Sequence, residues 1–369
     1  MKVRWTTKLI LGSGSVVVTL LLIEAVLRVI GYAPFQSLLD GRELIVRSVS
    51  DGSDGRYELT PGAKGHAWQT DVEVSSQGFR DREYPPLPPA NTLRVLVLGD
   101  SITFGQKLPV RDTYADQLEE LFANGPKRVE VINMAVSGYD TLDEISGLER
   151  HGIQLQPHLV VVGYCINDII DASPDEQYLN RVTKYGSWIY HVRIAQLIQT
   201  RLDRIRAGQA SRNDQRYASG DHVRVAQVAA DPALQEAFHL LPTYRTTARD
   251  HVGWRERVFA AYASPAKIAW LRGNFERLAR LARQHRFEVV VVPLPYLDER
   301  DGQRPFVEAT YEIVSHEAAR VGFPTIRTDD RFRTAGFDTL QIDPNDFIHF
   351  ARAGHTIVAR ALYDVLQAR

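Results

Sequence analysis

The sequence contains very little cysteine and no excess of charge of either sign. Its 369 residues include a single cysteine, Cys165, which excludes an internal disulfide framework and any metal site built from several cysteines. The formal net charge is -1, so no global basic field attracts nucleic acid and no acidic excess indicates a disordered tail. Hydrophobic residues make up 44% of the chain, which is ordinary for a globular protein. We therefore expect a sizeable core and no nucleic-acid partner.

Two common site motifs are also missing. The G-x-S-x-G pattern of α/β-hydrolases is absent, because Ser101 is followed by Ile102 and Thr103, and this argues against that fold. The "GSG" at residues 12–14 is not a dinucleotide-binding loop, because no strand precedes it. The sequence contains neither internal repeats nor low-complexity tracts, so repeat architectures are excluded as well.

The N-terminus carries the longest apolar run. Lys2, Arg4 and Lys8 precede Leu9 to Ile23, which are apolar or small throughout. About 20 apolar residues span a bilayer and basic residues stay on the cytoplasmic side, so the pattern predicts a single transmembrane anchor within residues 1–31. The rest of the chain would then be extracytoplasmic, in the periplasm or outside the cell. A cleaved signal peptide is the alternative, although no small-x-small cleavage site follows the run.

Composition divides the remainder into a linker and a main domain. Residues 32–91 are rich in Gly, Pro, Asp and Ser and contain short alternating stretches such as Ala67 to Val74, which predict a linker with accessory strands. Tyr84 to Thr92 is proline-rich and predicts a stiff spacer. The main domain is predicted over residues 92–369, with a helical insertion at about 171–265.

The main domain alternates buried strands with amphipathic helices. Continuous Val and Leu strands separated by helices indicate a parallel sheet covered on both faces, which is an α/β fold. In such sheets the site lies at the carboxyl ends of the strands. The predicted strands are Val95 to Leu98, Val129 to Met134, Leu159 to Tyr164, Glu288 to Pro295 and a short one near Thr325 to Arg327. The predicted helices are Thr113 to Ala123, Leu142 to His151, Ile268 to Gln284, Phe306 to Arg320 and Ala353 to Leu366.

The predicted insertion is basic. Between Arg181 and Arg216 it carries eight Lys and Arg residues against Asp203 and Asp214, interleaved with apolar residues at helical spacing. A solvated helix face explains this pattern. Contact with anionic lipid headgroups or with an acidic polysaccharide explains it too, and the sequence does not separate these interpretations.

Ser101 follows the first predicted strand directly and invites a search for partners that would make it a nucleophile. A serine there is also a good helix N-cap. Asp346 lies three residues before His349, so one turn can bring its carboxylate onto the imidazole of a general base. Gly138 offers an accessible backbone N–H and Asn167 offers a neutral side-chain amide, and with the Ser101 N–H these make three donors for an oxyanion.

Four short blocks make this pattern specific. "GDSITFG" (99–105), "SGYD" (137–140), "GYCIND" (163–168) and "DFIHF" (346–350) resemble the conserved blocks of the SGNH (GDSL) hydrolase family, in order. The resemblance implies a flavodoxin-like three-layer α/β/α sandwich with a central parallel sheet. It also implies a nucleophile (Ser101), oxyanion donors (Ser101, Gly138 and Asn167) and an Asp/His pair (Asp346 and His349). Phe350 replaces the proline that often follows the family's histidine. The membrane anchor followed by "SQGFRDREYP" (76–85) is similar to members of bacterial envelope and exopolysaccharide metabolism.

The resulting expectation is a membrane-anchored serine esterase that removes a small acyl group, acetyl in particular, from a carbohydrate or another envelope component. It requires no cofactor. An O-acyltransferase acting on a polysaccharide, a lysophospholipase or thioesterase, and a non-catalytic scaffold of envelope polysaccharide machinery stay open as alternatives. The expected partners are an acylated carbohydrate or lipid substrate, the membrane through the N-terminal helix, and that polysaccharide machinery.

Several other polar residues receive structural interpretations. A metal site would need several converging oxygens, so local hydrogen bonding or capping is preferred for the aspartates that flank the predicted site: Asp100, Asp140 and Asp168. Structural roles are expected for three of the histidines: His151, His158 and His355. Cys165 lies at a strand end and is expected to be a small buried hydrophobe.

Overall fold

The chain divides into two compact units. The computed structural model describes residues 5–32, 44–47, 57–123, 125–170, 191–210, 222–241, 254–299, 302–344 and 346–368. One unit comprises Met1–Arg42 with Pro174–Asp214, and the other comprises Glu43–Ser173 with Gln215–Arg369. The second unit holds every strand of the described residues. The predicted insertion at 171–265 is thus shared between the units, and the parts at 171–190, 211–221 and 242–253 lie outside the described residues.

The strands of the larger unit are β1 (Ile45–Arg47), β2 (Tyr57–Leu59), β3 (Lys64–Ala67), β4 (Thr70–Glu73), β5 (Thr92–Gly99), β6 (Arg128–Asn133), β7 (Leu159–Tyr164) and β8 (Glu288–Pro293). Four of them form a parallel sheet at its centre, in the order β6-β5-β7-β8. All six residues of β7 are buried, as a continuous Val and Leu strand covered on both faces must be. The predicted parallel α/β fold is confirmed.

The described residues also form α-helices. They are α1 (Trp5–Val29), α2 (Ser101–Phe104), α3 (Tyr114–Ala123), α4 (Thr141–Gly147), α5 (Arg193–Ala210), α6 (His222–Ala229), α7 (Gln235–Leu240), α8 (Trp254–Tyr262), α9 (Pro265–His285), α10 (Arg304–Arg320), α11 (Asp329–Ala335) and α12 (Arg352–Gln367). Helix α3 packs against α12, and α4 packs against α9. Their buried faces carry apolar residues at helical spacing, as predicted.

One local prediction was wrong in detail. Thr325, predicted to lie in a short strand, forms only an isolated parallel bridge to Val291. The alternating stretch from Ala67 to Val74, which predicted accessory strands, contains the turn of the β3–β4 hairpin. Trp68 and Gln69 form that two-residue turn with φ of +50° and +59°. Such turns favour Asn and Gly, so Trp and Gln at these positions did not indicate a turn.

The smaller unit contains α1 and α5. The Glu24 carboxylate accepts hydrogen bonds from the backbone N–H groups of Arg193 (3.0 Å) and Ile194 (2.9 Å), so it caps the first turn of α5. Arg28 in turn donates to Glu24 (2.9 Å) and to the His191 carbonyl (2.8 Å). Within the described residues, no helix combines the length and the apolar character needed to cross a lipid bilayer. The transmembrane anchor predicted within residues 1–31 is therefore not supported.

Candidate active site

The carboxyl end of β5 presents Ser101 at the start of α2. Asp100 caps this short helix, because its Oδ1 accepts the Ile102 N–H at 3.1 Å, and Gly105 ends it with a φ of +78°. The helix packs closely on the sheet, since a Cβ at Gly163 would lie 2.6 Å from Thr103 Oγ1. Ser101 is 9% exposed, so little of this residue is open to solvent.

His349 and Asp346 reach this serine from a loop 248 residues along the chain. His349 Nε2 lies 3.0 Å from Ser101 Oγ, and Nδ1 lies 3.0 Å from both Asp346 carboxylate oxygens. Burial raises the pKa of Asp346, but hydrogen bonds from the His349 ring, the His349 backbone and Lys107 outweigh this and hold that pKa well below its ordinary value. The predicted Ser, His and Asp side chains thus form one hydrogen-bonded chain.

The two other predicted site residues follow the strands that flank β5. Gly138 follows β6 with a φ of +85°, a backbone conformation that favours glycine. Its loop is tied to the end of β5, because the Val136 N–H donates to the Gly99 carbonyl at 3.2 Å. Asn167 follows β7, and its Nδ2 donates to Asp100 Oδ2 at 3.1 Å. Since that oxygen also lies 3.2 Å from Ser101 Oγ, Asp100 lies beside both the asparagine and the serine.

Three contacts at this site were not predicted from the sequence. Lys107 binds Asp346 and its neighbour Asp343 with Nζ–Oδ2 distances of 2.7 and 2.6 Å. Cys165, predicted to be a small buried hydrophobe, is buried and also donates its Sγ–H to Asn167 Oδ1 at 2.7 Å. Asp100 proved to be a shared acceptor as well as a helix cap. These partners are far apart in sequence or of residue types that usually do other things, so spacing could not identify them.

A buried acidic group lies beneath the site. Asp140 caps α4 in a capping box with Asp143, and Asp168 Oδ2 accepts the Cys165 N–H at 2.6 Å, so the predicted capping and local hydrogen-bonding roles hold. Glu144, however, has no hydrogen-bond partner for either carboxylate oxygen within the described residues. Burial raises its pKa well above the ordinary value of 4.5, and the charges of Asp100 and Asp140 raise it further.

We expect Glu144→Gln to change how stability depends on pH. Above about pH 4.5 the unfolded chain ionises Glu144 while the folded chain retains the proton, so wild-type stability falls as pH rises through this window. Glutamine cannot ionise and removes that loss. Between pH 5 and 8 the melting temperature of the variant should therefore rise relative to wild type by about 3 °C or more, measured by circular dichroism. Exposed Glu236→Gln is the control, and a pH-independent difference for both variants would contradict the prediction.

One cluster of candidate metal ligands lies elsewhere among the described residues. Asp231, His316 and Glu317 offer ligand atoms within 4.8 Å of one another. Arg272 already occupies this position, because its guanidinium donates to both Glu317 oxygens at 2.7 and 2.6 Å and to Asp231 at 3.2 Å. A guanidinium satisfies these carboxylates, so we assign the cluster to helix packing.

Comparison with known proteins agrees with this geometry. Residues 97–262 match the family model described as the GDSL-like Lipase/Acylhydrolase family. The chain carries a GDSL-like acylhydrolase domain. It is therefore an ester-bond hydrolase, as the sequence blocks predicted. The match includes Ser101, Gly138 and Asn167 and ends before Asp346 and His349, so the hydrogen bond to Ser101 is what connects the last two residues to the acylhydrolase domain.

Individual proteins are less similar to this chain than the family model is. No curated protein matches significantly in sequence. Among solved structures, the chain is similar to Axe2, an acetylxylan esterase from Geobacillus stearothermophilus (15% identity, 74% of this chain and 93% of that chain, TM-score 0.40). It is also similar to a lipase/acylhydrolase from Enterococcus faecalis (16%, 75% and 96%, TM-score 0.41) and to the acetyl xylan esterase AlAXEase (12%, 74% and 100%, TM-score 0.41). At such identities and TM-scores, these likenesses carry no weight for the acylhydrolase site.

Proposed function

We propose that Ser101, His349 and Asp346 hydrolyse an ester through an acyl-enzyme. The observation that supports this most directly is the 3.0 Å separation between Ser101 Oγ and His349 Nε2. In this arrangement His349 takes the hydroxyl proton as Oγ attacks the ester carbonyl, and Asp346 fixes the imidazole and stabilises its charged form. His349 then protonates the leaving alcohol. Water attacks the acyl-enzyme by the same route and releases the carboxylic acid.

The developing oxyanion is assigned to three donors: the backbone N–H groups of Ser101 and Gly138 and the side-chain amide of Asn167. The orientation of this amide supports its role. Its oxygen accepts the Cys165 Sγ–H and one of its N–H groups is held by Asp100, so among the described residues the second hydrogen on the same nitrogen is left to donate to the oxyanion. This amide is thereby fixed before substrate binds, which is what electrostatic stabilisation requires.

We assign the substrate to esters of a short acyl group, acetyl in particular, on a carbohydrate or another envelope component. The immediate surroundings of the serine support a short acyl group, because Ser101 is nearly buried and its hydroxyl is met by polar groups of Asp100 and His349. Placement outside the cytoplasm stays a prediction from Lys2, Arg4 and Lys8, as do the membrane and polysaccharide-machinery partners.

A chain-length series tests this assignment. With nitrophenyl esters of increasing acyl length, kcat/KM for acetyl should exceed that for octanoyl by about 100-fold, since a site for a short acyl group has no room for the extra methylene groups. Acetylated xylo-oligosaccharides then serve as a carbohydrate substrate that carries acetyl esters. Ser101→Ala is the inactive control for the same measurement. A preference for octanoyl would replace the assignment with a lysophospholipase or thioesterase. Acyl transfer to an added glycan exceeding hydrolysis would replace it with an acyltransferase.

A further inference from the structure

Lys107 connects the loop after the nucleophile helix to the acidic member of the predicted triad. It lies six residues after Ser101, yet its Nζ contacts carboxylates more than 230 residues away, at 2.7 Å for Asp346 and 2.6 Å for Asp343. The Lys107 side chain is 19% exposed and that of Asp346 15%, so solvent screens their ion pair only in part. One short segment therefore carries the serine and also binds the aspartate that orients its base.

The two oxygens of the Asp346 carboxylate have different partners. Oδ1 accepts the backbone N–H groups of His349 at 3.0 Å and Ile348 at 3.3 Å, whereas Oδ2 accepts Lys107. Both oxygens also lie 3.0 Å from His349 Nδ1. Without Lys107 the carboxylate keeps its backbone anchor on one side and loses the fixed charge on the other. Lys107 thus controls both the orientation and the electrostatic environment of the aspartate.

The backbone at Lys107 adopts a conformation that needs external support. Its φ is +64°, which is costly for a residue with a side chain, and such strain is characteristic of functional sites. The support comes from the β3–β4 hairpin, because the Lys107 N–H donates to the Trp68 carbonyl at 3.0 Å. Buried Arg80 adds hydrogen bonds to the carbonyls on both sides of Lys107, at 2.9 Å to Gly105 and 2.6 Å to Leu108. The turn of the hairpin is itself strained at Trp68 and Gln69.

We propose that Lys107 is a positioning residue that holds Asp346 against His349 and lowers the stability of the charged imidazole, and that the β3–β4 hairpin holds Lys107 in place. This inference rests on the proposed function, since it assumes that His349 is the general base. A cation beside the aspartate partly cancels the negative charge that stabilises the imidazolium. Replacing Lys107 therefore changes both the orientation of Asp346 and the net charge beside the imidazole.

The other charged and titratable groups around His349 define what else can affect its titration. Asp343 lies beside Asp346 and shares Lys107, and Asp100 contacts Ser101 from the end of β5. His355 on α12 is buried and stays neutral, because burial and then the charge of His349 lower its pKa to about 3. Removing the Lys107 cation or the Asp343 anion should therefore shift the titration of the base in opposite directions.

The test is the pH dependence of kcat/KM for an acetyl ester, measured on the full chain. In wild type, kcat/KM should fall at acidic pH, and this fall is the acidic limb of the profile. Lys107→Met should move the acidic limb to higher pH by on the order of half a pH unit or more, because the imidazolium loses a nearby positive charge. The same substitution should lower the pH-independent maximum of kcat/KM by about tenfold, because Asp346 no longer orients His349 correctly. KM should change little. Lys107→Arg should restore both. Asp343→Asn, at a side chain 52% exposed, should move the limb to lower pH by a smaller amount.

The outcomes separate this inference from the proposed function. An acidic limb that is unmoved in both Lys107→Met and Asp343→Asn overturns the role of Lys107. If Lys107→Met does not fold, as judged by circular dichroism, the opposite shift in Asp343→Asn still decides the question, because that exposed residue can change without disturbing the core. Full activity in Ser101→Ala would instead overturn the proposed mechanism, whatever the Lys107 variants show.

Discussion

Replacing Ser101 with alanine should lower kcat for ester hydrolysis by about 10⁴- to 10⁶-fold, and His349→Ala should have an effect of the same order. The two losses should not add, because the hydroxyl and the imidazole act as one unit through the 3.0 Å Oγ–Nε2 contact. Asp346→Asn should cost about 10⁴-fold, since the amide cannot stabilise the imidazolium and favours the wrong tautomer. Single-turnover measurements with an activated acetyl ester check all three.

Two control variants test whether the loss of turnover is specific to the predicted triad. Ser315→Ala removes a hydroxyl that has no hydrogen-bond partner within the described residues, and His285→Ala removes an exposed imidazole at the end of α9. Both controls should retain wild-type turnover, and all variants should keep the wild-type circular dichroism spectrum. Hydrolysis by Ser101→Ala at the wild-type rate would exclude the acyl-enzyme at this residue, although the acylhydrolase domain would still stand.

The second large effect concerns stability. Glu317→Ala should lower the free energy of unfolding by about 3–5 kcal/mol, because it leaves the guanidinium of Arg272 buried without its main partner. The side chains of the pair are 0% and 3% exposed, so water cannot replace the lost carboxylate. Asp231 keeps one contact to Arg272 and prevents a complete loss. Urea unfolding followed by tryptophan fluorescence measures the change.

A double substitution distinguishes a lost charge partner from lost packing. Arg272→Met combined with Glu317→Leu removes both charges and fills similar volume, so it should recover most of the stability lost in Glu317→Ala. A double variant as unstable as the single one would show that the cost comes from packing. Arg331→Met, which breaks an exposed pair with Asp364, should change stability by less than about 1 kcal/mol and serves as the surface control.

The sequence predicted those parts of the molecule that depend on short-range patterns. Strand β7 has the predicted limits, because a run of buried β-branched residues admits little else. The three-residue spacing of Asp346 and His349 predicted their contact, since one turn fixes both side chains. The Asp100 and Asp140 caps were predictable for the same reason.

What could not be predicted depends on long-range contacts or on unusual backbone conformations. The Lys107 contact joins residues 239 positions apart, and no spacing rule links them. The β3–β4 turn places Trp68 and Gln69 where Asn and Gly are usual, so tertiary packing of the Trp68 ring on Phe104, with centroids 5.0 Å apart, replaces local preference. The apolar run and the basic residues before it predicted the transmembrane anchor, but this pattern could not reveal that the Glu24 carboxylate caps α5.

The cap that Glu24 provides has a consequence for engineering the chain. Because this carboxylate holds the N–H groups of Arg193 and Ile194, a truncation at residue 32 would cut away the acceptor and keep the helix that depends on it. The compact unit that contains both partners comes from two separate stretches, Met1–Arg42 and Pro174–Asp214. A minimal catalytic fragment should therefore omit both stretches, so that neither partner of this contact is left without the other.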